Sequence, residues 1–200
     1  MGAPLHQCHV LILTVWAAWC LYWLGGAFFV KRTARREPFL SRLSHIVPVA
    51  CGVWLIFAPL GWTGSWGEPR LVPTLPRCVG ALVLVALGLL FTLWARWHLG
   101  RNWSASVTAK RDHELVRSGP YAWVRHPIYS GLLLALMGDA LDVGAPHALL
   151  GLLIVFAGFT HKLRIEERVM RQLFGAAYTD YRSAVPALVP LRAARRSAPR

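Results

Sequence analysis

Apolar residues in this chain come in long runs separated by short polar segments, which is the pattern of membrane spans. Residues 8–30 form 23 consecutive positions without a charged side chain. At about 1.5 Å per residue, a helix of that length crosses a hydrocarbon core of about 30 Å. The segment is not a typical signal peptide, because it lacks a basic leading region and its apolar core exceeds the usual roughly 7–15 residues. Similar runs at 43–62, 78–95, 127–141 and 146–160 bring the expected number of spans to five. The last two are short, and Asp139, Asp142, Gly144 and Pro146 mark a turn between them. They read either as a tight hairpin or as two ordinary spans with acids at the water interface.

Beyond the apolar runs, residues 164–182 are amphipathic. Val169, Leu173 and Phe174 follow i, i+4, i+5 spacing while charges occupy the other faces, which predicts a helix lying along the membrane. Gly175 is placed to interrupt it, and Pro186 and Pro190 end any regular helix beyond it. The expected architecture is all-α: about five transmembrane helices, with a C-terminal amphipathic helix covering a cofactor pocket on the cytoplasmic side. Residues 1–97 would hold the first three helices, 98–190 a catalytic region and 191–200 a basic tail.

Composition agrees, since 56% of the residues are hydrophobic and ten are tryptophan, unlike an ordinary soluble domain. A net charge of +13 raises the question of nucleic acid, but its distribution answers it. Twenty of the 22 basic residues fall in the first loop, in the third loop or beyond the fifth span; Arg70 and Arg77 are the exceptions. By the positive-inside rule those segments are cytoplasmic and the N-terminus is outside. The charge therefore reports membrane orientation, and no nucleic-acid partner is expected. The tail, with Arg192, Arg195, Arg196 and Arg200, reads as solvated or as drawn to anionic lipid. Trp16, Trp19 and Trp23 share one helical face, as in packing or lipid contact. Cys8, Cys20, Cys51 and Cys78 lack the close pairing of structural zinc sites, so no metal is expected and they read as small buried hydrophobes. Cys8 and Cys78 both fall near the predicted outer face, where a disulfide could join them.

Two segments carry chemistry. In residues 113–131, Gly119-Pro120 reads as a turn back to the bilayer, and Pro127 suits the first turn of the fourth helix. Arg125 and His126 would then sit at a helix start whose free N–H groups and dipole favour an anion such as a carboxylate. Tyr121, Trp123 and Tyr129 add aromatic surface with polar tips. An interfacial anchor is the plainer reading of the same residues. In the second segment, Glu166 and Glu167 project about 100° apart on a helix, so a given site would face one of them. Glu167 could pair with Arg171 and Glu166 with Lys162, as ordinary surface ion pairs. The two segments together suit a zwitterionic nucleoside ligand. No G-x-G-x-x-G follows a strand, which argues against a Rossmann-type nucleotide site.

The composite pattern is Leu115-Val116, Gly119 through Tyr129 with Arg125-His126-Pro127, then Glu166-Glu167, then Phe174-Gly175 through Tyr181. It resembles the isoprenylcysteine carboxyl methyltransferase family and the related membrane phospholipid methyltransferases over about residues 100–190. The resemblance implies an S-adenosyl-L-methionine pocket built by His113, Glu114, Leu115, Val116, Tyr121, His126, Pro127, Ile128 and Tyr129 and closed by Glu166. It also implies a basic residue near the glutamates that meets the methyl acceptor. Lys162 stands where the family has arginine, which keeps the charge and loses the bidentate fork, and Arg164 could substitute. The acceptor would be lipophilic: a prenylated cysteine, a membrane lipid or a small thiol. A carboxylate acceptor needs no general base, whereas an amine, hydroxyl or thiol would draw on His126 or Glu167. An NADPH-dependent reductase of the sterol type and a non-catalytic lipid-binding protein are the competing readings, Lys110 and Arg111 being the candidates for a 2′-phosphate.

Overall fold

A computed structural model describes residues 3–27, 38–58, 65, 68–100 and 115–190. His113, Glu114, Lys110, Arg111 and the basic tail lie outside the described residues. The protein is an all-α integral membrane protein, and no strand occurs among the described residues. Its helices are α1 (Ala3–Ala27), α2 (Phe39–Ile56), α3 (Leu75–Leu99), α4 (Pro127–Val143), α5 (Pro146–Phe174) and α6 (Ala176–Ala184), with a 3-10 turn at Gly119–Ala122. Of these, α1, α2, α3 and α5 are long and apolar enough to cross a membrane. At 17 residues α4 falls just short, about 26 Å, and the expected count of five reduces to four such helices plus α4. Exposed Leu11, Leu13, Leu21 and Leu24 give α1 the apolar surface that lipid requires.

Glycine lets two pairs of helices pack backbone to backbone. A Cβ on Gly131 of α4 would lie 2.5 Å from the Gly88 carbonyl oxygen of α3. A Cβ on Gly52 of α2 would lie 2.6 Å from the Gly151 carbonyl oxygen of α5. Such contacts are how helices associate in lipid, where apolar burial supplies little drive. Between α4 and α5 the turn follows the expected chemistry: Gly144 takes a left-handed φ of 63° and Pro146 opens α5 at its first turn. That turn joins α4 directly to α5, which is itself long and apolar enough to cross a membrane.

Asp139 lies outside that turn. It is 2% exposed within α4 and accepts a 3.0 Å hydrogen bond from Trp16 Nε1, while Trp19 donates to Thr92 Oγ1 at 2.6 Å. The tryptophan face of α1 thus reads buried polar groups on α3 and α4, and Arg96 lies 5.9 Å over the Trp23 ring. Cys8 and Cys78 form the disulfide, whereas Cys20 and Cys51 are exposed and free, against the expectation of burial.

The amphipathic segment departs from expectation. Residues 164–174 continue α5 without a break, because nothing between Thr160 and Phe174 stops a helix and Glu, Lys and Arg propagate it well. Gly175, at φ 53°, then redirects the chain into the separate α6. That short helix seats buried Tyr178 and Tyr181 on the 119–125 loop, where the Tyr181 hydroxyl donates to the Tyr121 carbonyl at 2.6 Å.

Candidate active site

The start of α4 and the far end of α5 meet around one histidine. His126 caps α4, and its ring lies between both glutamates: Nδ1 is 3.6 Å from Glu166 Oε2 and Nε2 is 3.4 Å from Glu167 Oε1. The glutamates project in different directions from the helix, but the histidine sits between those directions, so both face it. Burial alone would lower the His126 pKa. Its contacts with the Glu166 and Glu167 carboxylates and their charges outweigh that and hold it above the ordinary 6.5.

Each carboxylate has further partners. The Tyr129 hydroxyl donates to Glu166 Oε1. Arg125 donates to Glu167 Oε1 from Nε at 2.9 Å and from Nη2 at 2.6 Å, and Arg182 Nε approaches Oε2 at 3.2 Å. Glu167 therefore pairs with Arg125, Arg182 and His126 through its side chain, and Arg171 reaches only its main-chain oxygen. Arg125 also donates from Nη1 to the carbonyls of Arg182 and Val185. The Arg125–Glu167 pair is buried, with side chains 9% and 6% exposed.

Two main-chain N–H groups just ahead of this helix are in use. Arg125 N–H donates to the Pro186 carbonyl at 2.9 Å and His126 N–H to the Ala187 carbonyl at 3.0 Å, while Ser130 Oγ donates to the Leu188 carbonyl. The chain after α6 is thus laid against the helix start. The side chains of Arg125 and His126 are engaged by the protein's own pair of glutamates.

Tyr129 stacks on His126 at 5.7 Å and on Phe159 at 5.0 Å, and Lys162 Nζ lies 5.6 Å over the Tyr129 ring. Pro127 and Tyr121 are buried; Leu115, Val116 and Ile128 are half-buried. Arg164 is exposed and lies about 200° around α5 from Lys162. Trp123 is exposed and packs on Trp94 and Phe91 of α3. A groove of about 390 Å³ lined by Arg125, Thr179, Arg182 and Ser183 adjoins Glu167 on the α6 side. Burial pushes the pKa of Tyr121, Tyr178 and Tyr181 up, that of Tyr181 to about 12, so all three stay neutral phenols at ordinary pH.

Residues that the sequence reading missed are His98 and Arg182. The ring of His98, at the end of α3, bonds Ser118 Oγ at 2.9 Å and stacks on Tyr121 at 6.5 Å. A Cβ on Gly119 would lie 2.8 Å from that ring, and Gly119 also has a φ of 59°, so glycine is required there on both counts. The signal for Arg182 was its place four residues after Tyr178 on a short helix, which brings the two side chains to one side.

Residues 81–172 match the Isoprenylcysteine carboxyl methyltransferase (ICMT) family. The match includes α4, the two glutamates and most of α5. Among relatives, Protein-S-isoprenylcysteine O-methyltransferase of Schizosaccharomyces pombe is 35% identical over 114 residues, 56% of this chain and 48% of the relative. Protein-S-isoprenylcysteine O-methyltransferase B of Arabidopsis thaliana is 31% identical over 112 residues, 54% of this chain and 57% of the relative. Cobalt-zinc-cadmium resistance protein CzcN of Cupriavidus metallidurans is 30% identical over 142 residues, 68% of this chain and 56% of the relative. The chain spans about half the length of the curated relatives it matches.

Proposed function

We propose that the protein is a membrane methyltransferase that takes its methyl group from S-adenosyl-L-methionine and passes it to a lipophilic acceptor, with an isoprenylcysteine carboxylate as the favoured class. The observation that carries this reading is the convergence of Glu166, His126 and Tyr129 at the start of α4, inside the matched segment. The names of the relatives in yeast and plant favour a methyltransferase over the reductase alternative.

The residues present fit a zwitterionic nucleoside. A carboxylate has roughly four acceptor sites, and Tyr129 and His126 occupy two of those on Glu166, leaving capacity for an ammonium or ribose hydroxyl. Leu115, Val116, Tyr121, Pro127 and Ile128 offer the apolar and aromatic walls. When bound, the cofactor supplies an electrophilic methyl on a sulfonium sulfur. The chain's own task is then to align the acceptor with that methyl and exclude water, which together can account for much of the rate.

Lys162, held over Tyr129, is the cation placed to meet a carboxylate acceptor. Glu167 is assigned a positioning role: with Arg125, Arg182 and His126 on its two oxygens it holds the helix start and is poorly placed to accept a proton. A carboxylate acceptor needs no such base. The basic residues near this end of the bundle support a cytoplasmic site, with the N-terminus outside. Transfer of a tritiated methyl from S-adenosylmethionine to a prenylcysteine analogue by the purified protein tests the reading. Binding of NADPH in place of S-adenosylhomocysteine would overturn it.

A further inference from the structure

At the end of the bundle away from Glu166, three helices bring together four side chains that ligate metal ions. Cys8 and His9 come from the first turns of α1, Cys78 from the first turn of α3 and Asp142 from the last turn of α4. His9 Nε2 lies 3.0 Å from Asp142 Oδ2, and the ligand atoms of His9, Cys78 and Asp142 all fall within 4.8 Å of one another. Cys8 Sγ is bonded to Cys78 Sγ, with the two Cα atoms 6.3 Å apart. We propose that reduction of the Cys8–Cys78 disulfide opens a four-coordinate site for zinc or a similar divalent transition metal, made by Cys8, Cys78, His9 and Asp142.

The donor set is chemically suited to that ion. Two sulfurs, an imidazole nitrogen and a carboxylate oxygen are the ligands zinc takes in tetrahedral sites, with bonds of about 2.0–2.3 Å. Such bonds hold donors within about 4 Å of one another, so His9, Cys78 and Asp142 need to draw in by no more than about an ångström, while the two sulfurs move apart once the bond between them is broken. A disulfide that only stapled two helices would need no histidine and carboxylate paired at its side. The site also has an entrance: Cys8 and Cys78 are buried, while the His9 side chain is 28% exposed and that of Asp142 is 15% exposed. Two thiolates and a carboxylate leave one negative charge on a bound divalent ion. The Arg77 guanidinium, which donates to the Asp142 carbonyl at 2.9 Å, is at hand to offset it.

The chemistry balances. A dithiol reductant gives two electrons and two protons to the S–S bond, which breaks to two thiols, and the dithiol closes to its own disulfide. Metal binding then displaces both thiol protons to solvent. The sequence carries no sign of the site, because its ligands lie on segments up to 134 positions apart (Cys8 to Asp142) and meet only through the packing of α1 and α4 against α3.

The test uses the full chain in detergent micelles with Cys20→Ser and Cys51→Ser, so that Cys8 and Cys78 hold the only sulfur that can become thiol. One sample is kept oxidised. The other is reduced with a dithiol that is removed by anaerobic gel filtration, and both are titrated with cobalt(II). The proposal expects about one equivalent bound by the reduced protein, with a thiolate-to-cobalt charge-transfer band and tetrahedral ligand-field bands, and neither in the oxidised protein. His9→Ala and, separately, Asp142→Asn should weaken cobalt binding roughly tenfold or more, in variants whose helical circular dichroism is unchanged. His9→Gln serves if the alanine variant does not fold. Two free thiols by titration without a charge-transfer band would overturn the proposal, as would equal binding by the oxidised protein or affinity indifferent to His9 and Asp142.

Discussion

Removing either partner of the buried Arg125–Glu167 pair should cost far more than the pair itself is worth. Breaking a buried ion pair by deleting one member typically costs about 3–5 kcal/mol, because it strands the other charge. Here each partner keeps some company: Arg125 retains two carbonyl acceptors, and Glu167 retains Arg182 and His126. We therefore take the lower end, about 3 kcal/mol, for Arg125→Met and for Glu167→Met. The double substitution strands neither, so it should cost about 3–4 kcal/mol rather than about 6, a coupling of about 2–3 kcal/mol. Arg182, whose side chain is 49% exposed, should contribute under about 1 kcal/mol when replaced by alanine. Equilibrium unfolding in mixed micelles of increasing dodecyl sulfate content reads all four variants. Single costs that add to within about 0.5 kcal/mol would refute the reasoning and make the network a set of independent contacts.

Other expectations follow from the same structure. Gly131→Leu drives a side chain into the α3 backbone and should cost about 3 kcal/mol, whereas Gly80→Ala, with nothing near its Cβ, should be neutral or gain up to about 1 kcal/mol; the same unfolding assay reads both. Tyr181→Phe strands the Tyr121 carbonyl and should cost about 1–2 kcal/mol, seen as a lowered thermal midpoint. His126 has its pKa raised by folding, so the stability it contributes is fully present below about pH 6.5 and is lost as pH climbs through the folded value. Thermal midpoints measured between about pH 6 and 9 should fall in the native protein, and that component of the fall should be absent in His126→Asn.

Much of the fold is legible in the sequence because bilayer physics leaves few choices for a 23-residue apolar run, and because Gly144 and Pro146 have narrow conformational meaning. The positions of His126, Tyr129 and Glu166 in the site were legible for a different reason, the composite motif. What was not legible is the company that side chains keep across helices. Asp139 read as a turn residue because nothing in its neighbourhood reveals that Trp16, 123 positions earlier, donates to it. Nothing near Arg125, His126 and Ser130 in the sequence reveals that Glu167 from α5 and the 186–188 carbonyls bond them. Residues 164–174 read as a membrane-surface helix because their pattern is amphipathic, and periodicity cannot tell a new helix from the end of a long one.

The central claim concerns the Glu166 end of the bundle. Its most direct test is the binding of radiolabelled S-adenosylmethionine to the purified protein, compared between the native chain, Glu166→Ala and Arg164→Ala. The account predicts saturable binding by the native chain and by Arg164→Ala, whose side chain is exposed, and at least a tenfold loss in Glu166→Ala, about 1.4 kcal/mol or more. Native-like binding by Glu166→Ala would contradict it.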